Sequence, residues 1–197
     1  SIVELRLLRA LVPEGKNDLF LVGDPMQKIY DRFTSFTEAG INVRGRKSKR
    51  LKINYRTTEE IKRLGVSVIS NTSYDDFDGQ EESKQGYVSL LRGVRPTYEL
   101  LGDSEEASRK LIDILGLGFA QLGATISHSD VCIGVRTRKD LNEVKKLLHA
   151  EKLPYYDVTT QVGDTNGLRL STFHNMKGME YKVVVLYGVN SFSIPLK

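Results

Sequence analysis

Three short stretches of the sequence gather side chains able to do chemistry, and each follows an apolar run. Gly23-Asp24-Pro25-Met26-Gln27-Lys28-Ile29-Tyr30 comes directly after Leu19-Phe20-Leu21-Val22 and offers a carboxylate, an amide and an aromatic ring from a tight turn. Asn54-Tyr55-Arg56-Thr57 sets a flat ring beside a guanidinium, a pair that can cover an aromatic face and hold phosphate oxygens. Ser171-Thr172-Phe173-His174-Asn175-Met176-Lys177-Gly178-Met179-Glu180 packs hydroxyl, imidazole, ammonium and carboxylate into one polar stretch. Each has a structural alternative. Gly-Asp-Pro is ordinary turn chemistry. Arg56 could be a surface charge at a helix terminus, and His174 and Glu180 could belong to a buried hydrogen-bond network joining two strands.

The surrounding pattern says what must position them. Val3 to Leu11 has apolar residues at helical spacing, and Leu19 to Val22 reads as a buried strand opening into the first cluster. Leu51 to Tyr55 alternates like a strand, and Thr57-x-x-Glu60 reads as the capping box of a helix running to about Ser70. Residues 71–86 read as a surface loop. Val88 to Leu91 is a short strand, and Asp103-x-x-Glu106 can cap a helix running to about Leu122. Val131 to Val135 is a buried-type strand, and Asp140 to Glu151 carries Leu141, Val144, Leu147 and Leu148 on one helical face. Tyr155 to Val158, Leu168 to Thr172 and Lys182 to Tyr187 supply three more strands. Strands alternating with helices imply parallel pairing in an α/β sheet, where ligands sit at the carboxyl ends of the strands. All three polar clusters fall at such ends.

In order and placement, the segments Gly-Asp-Pro-Met-Gln-Lys-Ile-Tyr, Leu-Lys-Ile-Asn-Tyr-Arg-Thr and Ser-Thr-Phe-His-Asn-Met-Lys-Gly-Met-Glu-Tyr resemble motifs III, IV and V of UvrD/Rep/PcrA-type superfamily 1 DNA helicases. The resemblance runs from residue 1 to about 190. It implies RecA-like, P-loop-NTPase-type parallel sheets with flanking helices, ATP held between two motor domains and single-stranded DNA crossing them. Residues 1–45 would be the tail of the first motor domain with a linker, and 46–197 the second motor domain, ending before motif VI. By the same resemblance Gln27 would sense the γ-phosphate, Tyr55 would stack on the adenine, and Arg56 would act as an arginine finger on the transferred phosphoryl group. Glu180 would bind the ribose hydroxyl, while Tyr30, Phe33, Thr172 and His174 would face DNA. A 3′-to-5′ polarity and a place in DNA repair are implied in the same way.

The sequence also departs from the family. Where a glycine and a base-stacking tryptophan are usual, Asp31-Arg32-Phe33 follows Tyr30, and the chain has no tryptophan, so Phe33 is the aromatic available for that place. Lys28 stands where serine is common. No Gly-x-x-x-x-Gly-Lys-Ser/Thr and no Walker B Asp-Glu pair occurs, so the groups that cradle phosphates and hold Mg2+ would lie elsewhere in a longer polypeptide, with the first motor domain. By itself the chain is expected to be silent as an ATPase. About 115 residues separate Arg56 from Thr172, too few for the large helical insertion of UvrD and Rep. The alternative to a motor part is an inactive helicase-like module that binds nucleic acid or protein.

Composition is consistent with either reading. Of 197 residues, 40% are hydrophobic and 27% charged, which argues against disorder, and the net charge of +4 with a pI near 9.1 suits a polyanionic partner without requiring one. The segment Arg44-Gly45-Arg46-Lys47-Ser48-Lys49-Arg50 is either a solvated linker or a phosphate-backbone contact. No apolar run approaches the roughly 20 residues that span a bilayer. With no signal-peptide pattern either, a cytoplasmic location and no membrane partner are expected. The single Cys132, within Val131-Cys132-Ile133, reads as a small buried apolar residue and not as a metal ligand.

Overall fold

The structure is a computed structural model that describes residues 1–24, 35–43, 48–69, 86–116 and 126–190. It divides into two compact units, Ser1–Thr97 and Tyr98–Lys197. The expected boundary near residue 45 falls among residues 44–47, outside the described residues, as do all but Gly86 of the expected loop of 71–86 and the whole of 25–34.

In the first unit, helix α1 (Ile2–Leu11) starts at a capping box in which Ser1 and Glu4 bond each other's backbone and side-chain groups. Arg9 ties α1 to the following turn, its Nη1 reaching Asp18 Oδ2 at 2.7 Å and its Nη2 donating to Val12 O at 2.6 Å. The run Leu19 to Val22, predicted as a buried strand, is not one: it joins no sheet, and Phe20 and Val22 are exposed. An apolar run of this kind becomes a strand only when neighbours take its backbone hydrogen bonds, and among the described residues nothing pairs with it.

Strand β1 (Ile53–Thr58), helix α2 (Glu59–Val68) and strand β2 (Val88–Leu91) form a parallel pair joined through a helix. The helix cap sits one residue later than the sequence suggested. Thr58, not Thr57, accepts from Ile61 N at 3.3 Å, while the Thr57 hydroxyl accepts from Asn54 Nδ2 at 2.6 Å within the strand. Glu59 at the head of α2 is buried and accepts from Ser89 N on β2 at 2.9 Å, fastening helix to strand.

The second unit is a mixed α/β fold around a five-stranded, mostly parallel sheet. Its strands are β3 (Val131–Val135), β4 (Tyr155–Asp157), β5 (Val162–Gly163), β6 (Leu168–Thr172) and β7 (Val183–Tyr187), in the order β5-β4-β6-β3-β7. Only β5 runs antiparallel, against β4; that two-residue strand was not legible as alternation. Helix α3 (Ser104–Gly116) is capped by Asp103, which accepts from Glu106 N at 2.8 Å, and its predicted continuation lies outside the described residues. Helix α4 (Arg138–Ala150) is capped by a Thr137–Asp140 box.

Register decides which face is core. Ile133 pairs with Leu170 and Cys132 with Arg169, so Val131, Ile133, Val135, Leu168 and Leu170 share one face. There they pack with Leu111 of α3 and Leu141, Val144 and Leu148 of α4. The opposite face of β3 shows only Cys132 and Gly134, which residues 173–182 cover as they run back from β6 to β7. Cys132 is fully buried, as expected, and burial pushes its thiol up to about 12. Among the described residues no helix is long and apolar enough to cross a membrane.

Candidate functional site

In a parallel sheet all strands exit at one edge, so side chains just past their ends converge whatever their separation in sequence. In the second unit three exits meet. β6 ends at Thr172, which is buried, and its carbonyl accepts the N–H groups of Asn175 and Met176, each at 3.0 Å, to start a tight turn. Phe173 N donates to Val135 O at 2.9 Å, so this turn begins bonded to the end of β3. His174 is thereby carried to the surface beside Arg136, the first residue after β3, with His174 Nδ1 3.4 Å from Arg136 Nη1. A guanidinium only donates. In this contact Nδ1 is the acceptor.

The third exit is that of β4. Asp157, almost fully buried, accepts from Thr159 N at 2.7 Å and from Thr160 N at 3.2 Å through Oδ1, and from Lys145 Nζ at 2.5 Å through Oδ2. Burial pushes its carboxyl up, but these donors prevail and hold it below the usual carboxylate range. The turn so fixed presents Thr159, whose Oγ1 accepts from Asn175 Nδ2 at 2.9 Å. His174 with Arg136 and Asn175 with Thr159 thus form two side-chain pairs on adjacent residues of one turn, joining the exits of three strands.

Of the residues named from sequence, Thr172 and His174 are brought together here. Glu180 is exposed at the other end of the same segment, in the stretch leading to the amino end of β7. Tyr55 and Arg56 lie in the first unit, within β1 and not past its end. The β1–β2 register is irregular between Asn54 and Thr58. Asn54 Oδ1 accepts Arg56 N at 2.8 Å and Thr57 N at 3.3 Å, holding a local bulge from which Tyr55 and Arg56 both point outward. Gln27, Tyr30 and Phe33, with Lys28, lie outside the described residues.

Arg136, Asn175 and Thr159 were not singled out from sequence. Position immediately after the buried strand Val131 to Val135 was a usable signal for Arg136; nothing local marked Thr159. A cavity of about 430 Å³ opens between α4 and the β4–β5 hairpin, but its Lys145 is paired with Asp157, and neither His174 nor Glu180 lines it. Among the described residues no group of three His, Cys, Asp or Glu side chains could hold a metal ion. No protein-family model, no curated protein and no solved structure matches the chain.

Proposed function

We propose that this chain is part of an ATP-dependent DNA helicase of the UvrD/Rep/PcrA type, its second unit a portion of a RecA-like motor domain that grips single-stranded DNA at the carboxyl edge of the sheet. The observation that carries the reading is that His174 and Asn175, which closely follow Thr172 in the segment that resembles motif V, meet Arg136 and Thr159 from two other strand exits at that edge. Phosphodiester oxygens are acceptors, and guanidinium, imidazole and amide groups are the side chains that commonly donate to them. In the first unit, the outward-pointing Tyr55 and Arg56 of the motif IV-like segment suit an adenine face and a γ-phosphate. Under this reading ATP and Mg2+ are bound with the help of a P-loop domain of the same polypeptide, Gln27 and Glu180 contribute to the nucleotide site, Tyr30 and Phe33 to the DNA track, and the protein works in the cytoplasm.

The test is fluorescence anisotropy of the chain with a labelled oligodeoxythymidylate at low salt. Weak binding that declines as salt rises is expected, with His174→Ala and Arg136→Ala each weakening it by about three- to tenfold, the range of a charge-assisted hydrogen bond at an exposed site. Absence of binding, or affinity indifferent to both substitutions, would overturn the reading.

A further inference from the structure

The segment Phe173 to Lys182 joins two parallel strands, β6 and β7, that flank β3, so it must travel back over β3 from its carboxyl to its amino end. It does so without a helix, and both ends are pinned. At the first, Phe173 N bonds Val135 O at 2.9 Å; at the second, Lys182 Nζ meets Asp130 Oδ2 at 3.0 Å. Between them the strap lies directly on the strand. A Cβ built on Gly134 would stand 2.5 Å from Met176 Sδ and 3.2 Å from both Met176 Cε and Phe173 Cε1. One step along, Tyr181 lies against the Cys132 thiol. Two small residues on the outer face of β3 are therefore what allow the strap to sit this low, and Met176 is the side chain that uses the space.

We infer that Gly134 is a positioning residue: by admitting Met176 against β3 it sets the height of the turn that carries His174 and Asn175 to the site. This rests on the proposed nucleic-acid reading only for what the turn binds. The seat itself is a claim about packing. A methyl at 134 would force Met176 Sδ aside, and to the extent that this side chain has no room to turn within the seat the displacement passes to the turn, separating Asn175 from Thr159 and His174 from Arg136, none of which Gly134 touches.

Cys132 reports on the seat, because the same strap covers it. In the 197-residue chain, Gly134→Ala should let an aromatic disulfide reagent reach the Cys132 thiol about tenfold faster or more, at a rate unchanged by low urea, the mark of local lifting rather than global unfolding. Met176→Ala in the same background removes the atom that is struck and should restore slow labelling. Oligodeoxythymidylate affinity should fall at least about fivefold in Gly134→Ala and recover in the double variant. A wild-type labelling rate in Gly134→Ala, or acceleration seen only as urea rises, overturns the seat. Faster labelling with unchanged affinity overturns the positioning role. If the wild-type chain binds no DNA, the functional reading fails while the labelling arms still decide the seat. Should Gly134→Ala not fold, Met176→Ala alone should speed Cys132 labelling, since it removes the side chain that seats the strap on β3, and an unchanged rate overturns the seat.

Discussion

Glu59 accepts from Ser89 N, from Lys62 Nζ at 2.9 Å and from Arg63 Nε at 3.1 Å, so its charge is shared between a helix and the strand beside it. The Lys62 bond first, then the Ser89 amide, lowers its pKa from 4.5 to about 2. A depressed folded-state pKa means the stabilisation is present above the unfolded value and is lost as pH falls through the interval between the two. The Ser89 amide proton shift should therefore titrate with a midpoint near 2 instead of near 4.5, and the urea midpoint of the first unit should decline across that window. Glu59→Gln should abolish both responses; an amide titrating near 4.5 would show that the bond is not made. Two other residues separate the functional reading from its alternatives. In the polypeptide that also carries the P-loop, Arg56→Ala should lower kcat by about 10²-fold or more, since an arginine finger acts mainly on the transition state. Tyr55→Ala should chiefly raise KM for ATP, as stacking is equal before and during chemistry. Wild-type turnover by Arg56→Ala in steady-state kinetics would return Arg56 to a bulge-mounted surface charge.

At the scale of elements, two glycines with opposite surroundings make a paired prediction. A Cβ at Gly167 would lie 2.6 Å from the carbonyl carbon and oxygen of Pro154 and from Tyr155 N, all backbone atoms that cannot step aside. Gly167→Ala should cost the second unit about 1–3 kcal/mol or more, read from urea unfolding. Gly65, inside α2, has nothing within 4 Å of its Cβ position, so Gly65→Ala should stabilise the first unit by up to about 1 kcal/mol. The contrast follows how the sequence could be read. Helices α1 and α4 and strands β3, β6 and β7 were legible because their apolar periodicity is local. The Leu19 to Val22 run was misread because a strand is a relation to a neighbour, and its own residues say nothing of whether one is present. The cap shift from Thr57 to Thr58 was hidden in the Asn54 side chain, and β5 in a hairpin too short to alternate. At the site, Thr172 and His174 stood out by type, whereas Arg136 meets His174 across 38 residues of chain and Thr159 meets Asn175 across 16, proximities that only the strand order creates.

Across the whole molecule the net charge is +4, and among the described residues the turns and helix start that follow β3 and β6 carry Arg136, Arg138, Lys139 and Lys177, of which two or three could meet phosphates at once. Each phosphate neutralised on a single strand contributes about −0.7 to the slope of log K against log salt. A slope of about −2 is therefore expected for the oligonucleotide, and one near zero would argue against a backbone track. Strand order has a consequence of a different kind. β7 closes the sheet on one side, and among the described residues no strand bonds to its outer edge. Its five residues, Val183-Val184-Val185-Leu186-Tyr187, contain no charge, proline or glycine, and Val184 and Leu186 are exposed. An open, unbroken β-branched and aliphatic edge is a template for pairing with another chain. Concentrated samples should accordingly self-associate through β7, with light scattering that climbs with protein concentration, and Leu186→Lys should suppress that scattering while leaving the far-ultraviolet circular dichroism intact.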